Sequence, residues 1–345
     1  MTEDPDYKLQ AAKSRLAEAS TYIPGGPPWL ALNDAAGAWV YDITGARFLD
    51  FGTGALVACL GHRYSSPTYA IQEHLSHYLS ADPLGEIAAL YPGRYARALS
   101  EKFPPVQEEP RQVLVCSGVT EARRVARIIG TVAGTPPLEI TPITASTVLD
   151  QDMVHDMVRR AREKSQAVIA DETVTGFGRT GHFLGIDHYE GLVPDIALLG
   201  PAGGGGLPFA AVVAPRTMFE RLDAMEVGGF SPLVAASAYG VLVAMTPMLM
   251  AHVTEHGTLL TEKIAELRDQ FPVVVSGSTG VGLLQKIRLV DQRQVTLFRL
   301  KCRAKGLLMA PDLVMTPPLT VSSDEILAAV DVMADALMEM QEEDT

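Results

Sequence analysis

Short unbroken apolar runs, separated by amphipathic stretches, dominate the middle of the chain. Val113-Leu114-Val115-Cys116, Ala167-Val168-Ile169-Ala170, Ile196-Ala197-Leu198-Leu199 and Phe209 to Val213 carry no charged side chain. Runs of this length predict strands buried on both faces, as in a parallel or mixed sheet covered by helices. Between them, apolar residues recur at helical spacing: a helix from about Thr120, after Ser117-Gly118, and another over residues 153–163. That alternation predicts an α/β domain.

The two ends have a different character. Residues 8–20 have helical spacing and stop before Pro24-Gly25-Gly26-Pro27-Pro28, and Trp39 to Asp42 and Arg47 to Asp50 flank a Thr44-Gly45 turn, a hairpin signal. Helices are predicted over residues 66–79 and 86–102. The last hundred or so residues read as an α+β lobe, with helices near 254–270, 293–304 and 323–340 and strands near 273–276, 282–289 and 307–310. The division expected is an N-terminal helix and hairpin segment (1–50), a large sheet domain (51–235) and a small C-terminal α+β domain (236–345).

Charge narrows the partners. The chain has 345 residues and a net charge of −13, with 41 acidic against 28 basic side chains, so phosphate backbones and anionic membranes are repelled and a small-molecule ligand is favoured. Its three cysteines, Cys59, Cys116 and Cys302, lie far apart, with no disulfide framework and no metal-ligand spacing, which fits a reducing cytoplasm. The N-terminal MTEDPDYKLQ is too acidic for a secretion signal. The longest apolar run, Pro232 to Met250, is interrupted by Ser237, Tyr239 and Thr246 and reads as a buried helix rather than a membrane span.

Five segments in order carry a resemblance: Tyr22-Ile23-Pro24-Gly25-Gly26; Trp39 to His62; Ser117 to Ala122; Ile169 to Ala211, containing DETVTGFGRTG; and Lys305-Gly306-Leu307-Leu308 with Pro317-Pro318-Leu319-Thr320. Together they resemble the class III aminotransferases, including glutamate-semialdehyde aminomutases. The resemblance implies the fold of fold-type-I pyridoxal phosphate (PLP) enzymes: a large, mostly parallel sheet with helices on both faces, and a smaller α+β domain. It also implies a homodimer, with sites between two subunits. By the same resemblance, Asp171 is the carboxylate that meets the pyridine nitrogen and keeps the ring an electron sink. Ser117, Gly118 and Thr120 correspond to the loop that holds the cofactor phosphate at a helix N-terminus.

Several positions depart from the family pattern. Pro201 stands where the family has the lysine that binds the cofactor covalently, and no lysine occurs between Lys164 and Lys263. Proline offers neither an amine for that bond nor a group to move a proton. Thr173 and Val174 replace a Val-Gln pair that contacts the ring. The interval from 125 to 165 is too short for the family's stacking aromatic. Val227 to Pro232 replaces a phosphate-binding run, and Val314 replaces an arginine that meets substrate carboxylates.

These losses lead to the expectation of a class III aminotransferase-like protein with no cofactor, repurposed for acid–base chemistry (cyclisation, isomerisation or elimination) on a small molecule in a biosynthetic pathway. Asp171 and Glu172 are the expected catalytic carboxylates, shifted by burial. Two alternatives stay open: a non-catalytic partner or ligand-binding protein, and residual chemistry with PLP or its amine form (PMP) held non-covalently. Asp171 also has a plain reading, as a salt-bridge partner of Arg179. Gly203 to Gly206 reads as a tight turn before an anion cradle, Ser117 and Thr120 as a helix cap, and His182 and His188 as core or surface groups, with no metal site.

Overall fold

The fold is known from a computed structural model, which describes residues 5–20, 30–52, 56–79, 89–106, 108–222 and 231–343. The Tyr22 to Gly26 segment, Trp29 and Val227 to Phe230 lie outside the described residues. Helix α1 covers Pro5–Ser20. The hairpin forms where the pattern places it, as β2 (Trp39–Asp42) and β3 (Arg47–Asp50). One carboxylate oxygen of Asp42 accepts from the Thr44 amide (2.8 Å), the Thr44 hydroxyl (2.6 Å) and the Ala46 amide (2.9 Å), which closes the turn. β1 (Leu32–Ala36) adds to β2, and β11 (Leu307–Leu308) adds in parallel to β3. This four-stranded sheet therefore joins distant parts of the chain.

The central sheet has the order β4-β8-β7-β6-β5, from β4 (Arg111–Cys116), β5 (Leu138–Ile140), β6 (Val168–Glu172), β7 (Ile196–Leu199) and β8 (Ala210–Pro215). β5, β6 and β7 run parallel, while β8 runs antiparallel to both neighbours. All residues of β7 and β8 are buried, which explains their lack of polar alternation. α4 (Val119–Gly130) covers one face with Ala122, Val125, Ala126 and Ile129, all at 0% exposure. α5 (Gln151–Glu163) begins at Asp150, whose carboxylate accepts from the Asp152 amide. α2 (Ser65–Leu75), α3 (Leu90–Ser100), the short α6 (Arg216–Phe219) and α7 (Pro232–Ala244) complete this part.

The Pro232 to Met250 run is not one helix. It breaks at Met245-Thr246, where Thr246 caps α8 (Pro247–Gln270), and the two helices meet at 73°. Among the described residues no single helix is long and apolar enough to cross a membrane. A three-stranded sheet, β12-β10-β9, follows, from β9 (Val275–Val281), β10 (Leu284–Leu289) and β12 (Val314–Met315), with α9 (Val295–Ala304) and α10 (Ser323–Glu343) packed nearby. β1, β5 and β12 have no run of apolar residues long enough to signal a strand; pairing with a neighbour makes them.

Arg179 ties the small sheet to the central one. It follows β6 in the Gly176 to Thr180 turn and is only 2% exposed. One of its terminal nitrogens donates to the carbonyls of Leu283 and Pro317, and its own carbonyl accepts from the Leu283 amide at 3.1 Å. The plain reading of Asp171 as its salt-bridge partner is corrected: Asp171 pairs with Arg123 instead. Desolvation pulls the Arg179 guanidinium down to about 10. The β9–β10 turn also meets this segment backbone to backbone: a Cβ at Gly282 would lie 2.7 Å from the Thr180 carbonyl carbon, and Gly282 has φ +57°. Arg179→Ala is therefore expected to cost about 3–5 kcal/mol, through the void and two stranded carbonyls. The midpoint of chemical denaturation measures it, with Arg179→Lys falling between parent and alanine variant.

Candidate functional site

The carboxyl end of β6 places the two acidic residues, Asp171 and Glu172. Successive side chains on a strand point to opposite faces. Asp171 accordingly faces α4, with 13% of its side chain exposed, and Glu172 faces the interior at 1%. One Asp171 oxygen accepts from Arg123 Nη2 at 2.6 Å, and the other accepts from the Thr173 hydroxyl at 2.6 Å and the Thr173 amide at 3.1 Å.

Glu172 is a structural strut. Its carboxylate accepts from the Thr175 hydroxyl and from the Gly185 and Ile186 amides at 2.7 and 2.8 Å, holding the turn after β6 against the Gly185–His188 turn. Burial pushes its carboxyl above the ordinary range, and these three bonds pull it back. Its oxygens are spent on these three donors inside the protein, which is a structural task and sets Glu172 apart from the more accessible Asp171.

Ser117 and Gly118 sit at the entry to α4, with Gly118 as the N-cap. The Ser117 amide and hydroxyl both donate to Glu121, at 2.8 and 2.7 Å. A carboxylate from the first turn thus occupies the place where the resemblance puts a phosphate, and it also complements the helix dipole. Thr120 is exposed beside it. Pro201 follows β7 as the first residue of a 3-10 turn, Pro201–Gly204. The glycines after it serve packing: a Cβ at Gly203 would lie 2.4 Å from the Phe177 ring and 2.5 Å from Phe209.

Beside this strand end lies a cavity of about 400 Å³, lined by Gly52, Thr144, Ser146, Val174, Asp312 and Val314 among others. Val174 is three residues beyond Asp171, and Val314 is on β12. The 144–147 turn on its wall is closed by a bond from the Thr144 amide to the Thr147 carbonyl (2.8 Å) and anchored to β9 by a bond from the Thr279 hydroxyl to the Ala145 carbonyl (2.7 Å). His182 and His188 lie elsewhere, with ring centroids 4.3 Å apart, and no cluster of metal-ligating side chains occurs among the described residues.

The family model for class-III aminotransferases matches residues 147–337, more than half the chain. The chain belongs to the class III aminotransferases. An acetylornithine aminotransferase from Gloeobacter violaceus is 25% identical over 86% of this chain and 90% of its own length. Another, from Caldanaerobacter subterraneus, is 34% identical over 52% of this chain and 47% of its own length. In fold, the N-acetylornithine aminotransferase of Stenotrophomonas maltophilia matches with a TM-score of 0.79 at 21% identity, covering 95% of this chain and all of that one.

This membership overturns the expectation of an aminotransferase-like protein with no cofactor. One structure of the same fold, an ornithine aminotransferase from Toxoplasma gondii, shows partial occupancy of PLP at its active site. It has a TM-score of 0.83 and 19% identity, covering 99% of each chain. Of the residues in this class III aminotransferase's site, Arg123 and Glu121 went unread in the sequence. Glu121 did leave a signal: a carboxylate four residues after Ser117, at a helix start.

His188 gives this region a pH dependence. Burial first, and then the charge of His182, pull its imidazole below the ordinary 6.5, so folding favours the neutral ring. Its stabilising contribution is whole above 6.5 and is lost as pH falls through the lowered folded value. The thermal midpoint is expected to drop between about pH 7 and pH 5, and His188→Gln is expected to flatten that drop in a calorimetric pH series.

Proposed function

We propose that this class III aminotransferase binds PLP or PMP as a dissociable ligand, with no covalent bond to the chain. The observation that carries this reading is a strand-end carboxylate, Asp171, combined with a proline at 201 that offers no amine. Asp171 would hold the ring-nitrogen proton. Ser117, Gly118 and Thr120 at the α4 N-terminus would take the phosphate. When bound, the group supplies an electron sink for bonds at an amino-bearing carbon.

The chain's own pairs set the cost of binding. Arg123 has to leave Asp171, and Glu121 has to leave Ser117, before either can face a ligand. Each exchange trades one charge-assisted contact for another, so binding is weak and reversible. Pro201 has no proton to give or take, so proton movement near it falls to solvent or substrate. A second reading, a non-catalytic ligand-binding protein, draws on the same internal pairs, which leave both positions satisfied without any ligand.

Titration with PLP is expected to give a saturable absorbance change that dialysis reverses, with no chromophore fixed to the chain by borohydride. Asp171→Asn should weaken it by about tenfold, the scale of one lost charge-assisted bond. No saturable change would favour the non-catalytic reading, and a borohydride-fixed chromophore would defeat the dissociable one.

We also propose a homodimer. Tyr69 and Leu75 on α2 and Val243 on α7 are 70%, 49% and 55% exposed, on two helices that pack together. A chain of 37.0 kDa should then elute from gel filtration at twice that mass, and Val243→Asp should shift it to the monomer position.

A further inference from the structure

We propose that Lys286 is the carboxylate-recognising residue of the cavity beside Asp171, and that the ligand is a monocarboxylate with an apolar body. Directly paired residues of antiparallel strands share a face. Lys286 on β10 pairs with Val314 on β12 and with Thr279 on β9, so these three side chains lie on one face of the small sheet. All three face the same region: Val314 lines the cavity, the Thr279 hydroxyl holds the Ala145 carbonyl, and Lys286 Nζ reaches the Ser146 hydroxyl.

The ammonium is loosely held. Ser146 Oγ lies 3.4 Å away and Asp312 Oδ2 3.5 Å away, both at the outer edge of bonding range. The Asp312 side chain is 59% exposed, against 23% for Lys286, so a hydrated partner holds a half-sheltered cation. An ammonium has three donors, and a carboxylate arriving through the cavity can take the one left over or displace Asp312.

The rest of the wall selects the body of the ligand. Leu56, Ala145, Val174, Leu284, Ala310 and Val314 are apolar, and Asp312 is the one charged residue among those lining the cavity. A cation set just behind two lining residues, Ser146 and Asp312, of an apolar space of about 400 Å³ suits a short branched or straight-chain carboxylic acid, including its 2-oxo or 2-amino form. A second charge at the far end of the ligand would be buried against valine and leucine. In sequence Lys286 shares β10 with Gln285 and Arg288, and only the pairing register sets it apart from them.

This inference rests on the cavity being the ligand site of the reading above, and it is tested without PLP. Calorimetric titration compares 4-methylpentanoate with its uncharged analogue 4-methylpentanamide. The acid is expected to bind about tenfold more tightly than the amide. Lys286→Met should abolish that preference, Lys286→Arg should keep it, and a thermal melt of each variant reports that it is folded. Equal affinity for acid and amide, binding of neither, or an undiminished preference in folded Lys286→Met overturns the proposal. A chain that prefers the acid yet gives no PLP signal would leave Lys286 in place and remove only the cofactor reading.

Discussion

A guanidinium buried among carbonyls joins the two sheets that frame the site. Arg179 has no carboxylate partner among the described residues; it is held by the Leu283 and Pro317 carbonyls and by the Gly282 backbone lying against Thr180. Burying an unpaired cation is unfavourable, and here only one terminal nitrogen is bonded while Nη2 is buried without a partner, so the two carbonyls that hold it carry the weight. The geometry of the β9–β10 turn, of residue 317 and of the turn after β6 is therefore set jointly. The cavity wall inherits that constraint, because Val314, Thr316 and Leu284 lie within a few residues of the two carbonyls.

The same turn organises the carboxylates. Adjacent positions on β6 send Asp171 towards α4 and Glu172 into the interior. One faces a helix that offers an arginine; the other anchors the Gly185–His188 turn that follows the arginine turn. Two acids side by side in sequence thus have unrelated tasks, and strand alternation decides which does what.

The α/β alternation was legible because runs such as Ile196 to Leu199 have no polar face, which only a doubly covered strand tolerates. The hairpin at Asp42 was legible from its turn chemistry. β5 and β12 were not, since their few residues become strands only through partners distant in sequence. At the site, Asp171 was found from its motif, but the Arg123 and Glu121 contacts depend on side-chain directions that no linear pattern encodes. Lys286 stayed hidden because its meaning comes from the register that sets it opposite Val314.

The Glu121 cap has a consequence for the start of α4. A helix that draws its counter-charge from its own first turn does not wait for a metabolite to finish its N-terminus. The β4–α4 junction carries its own counter-charge, so an anion arriving there meets a carboxylate already in place.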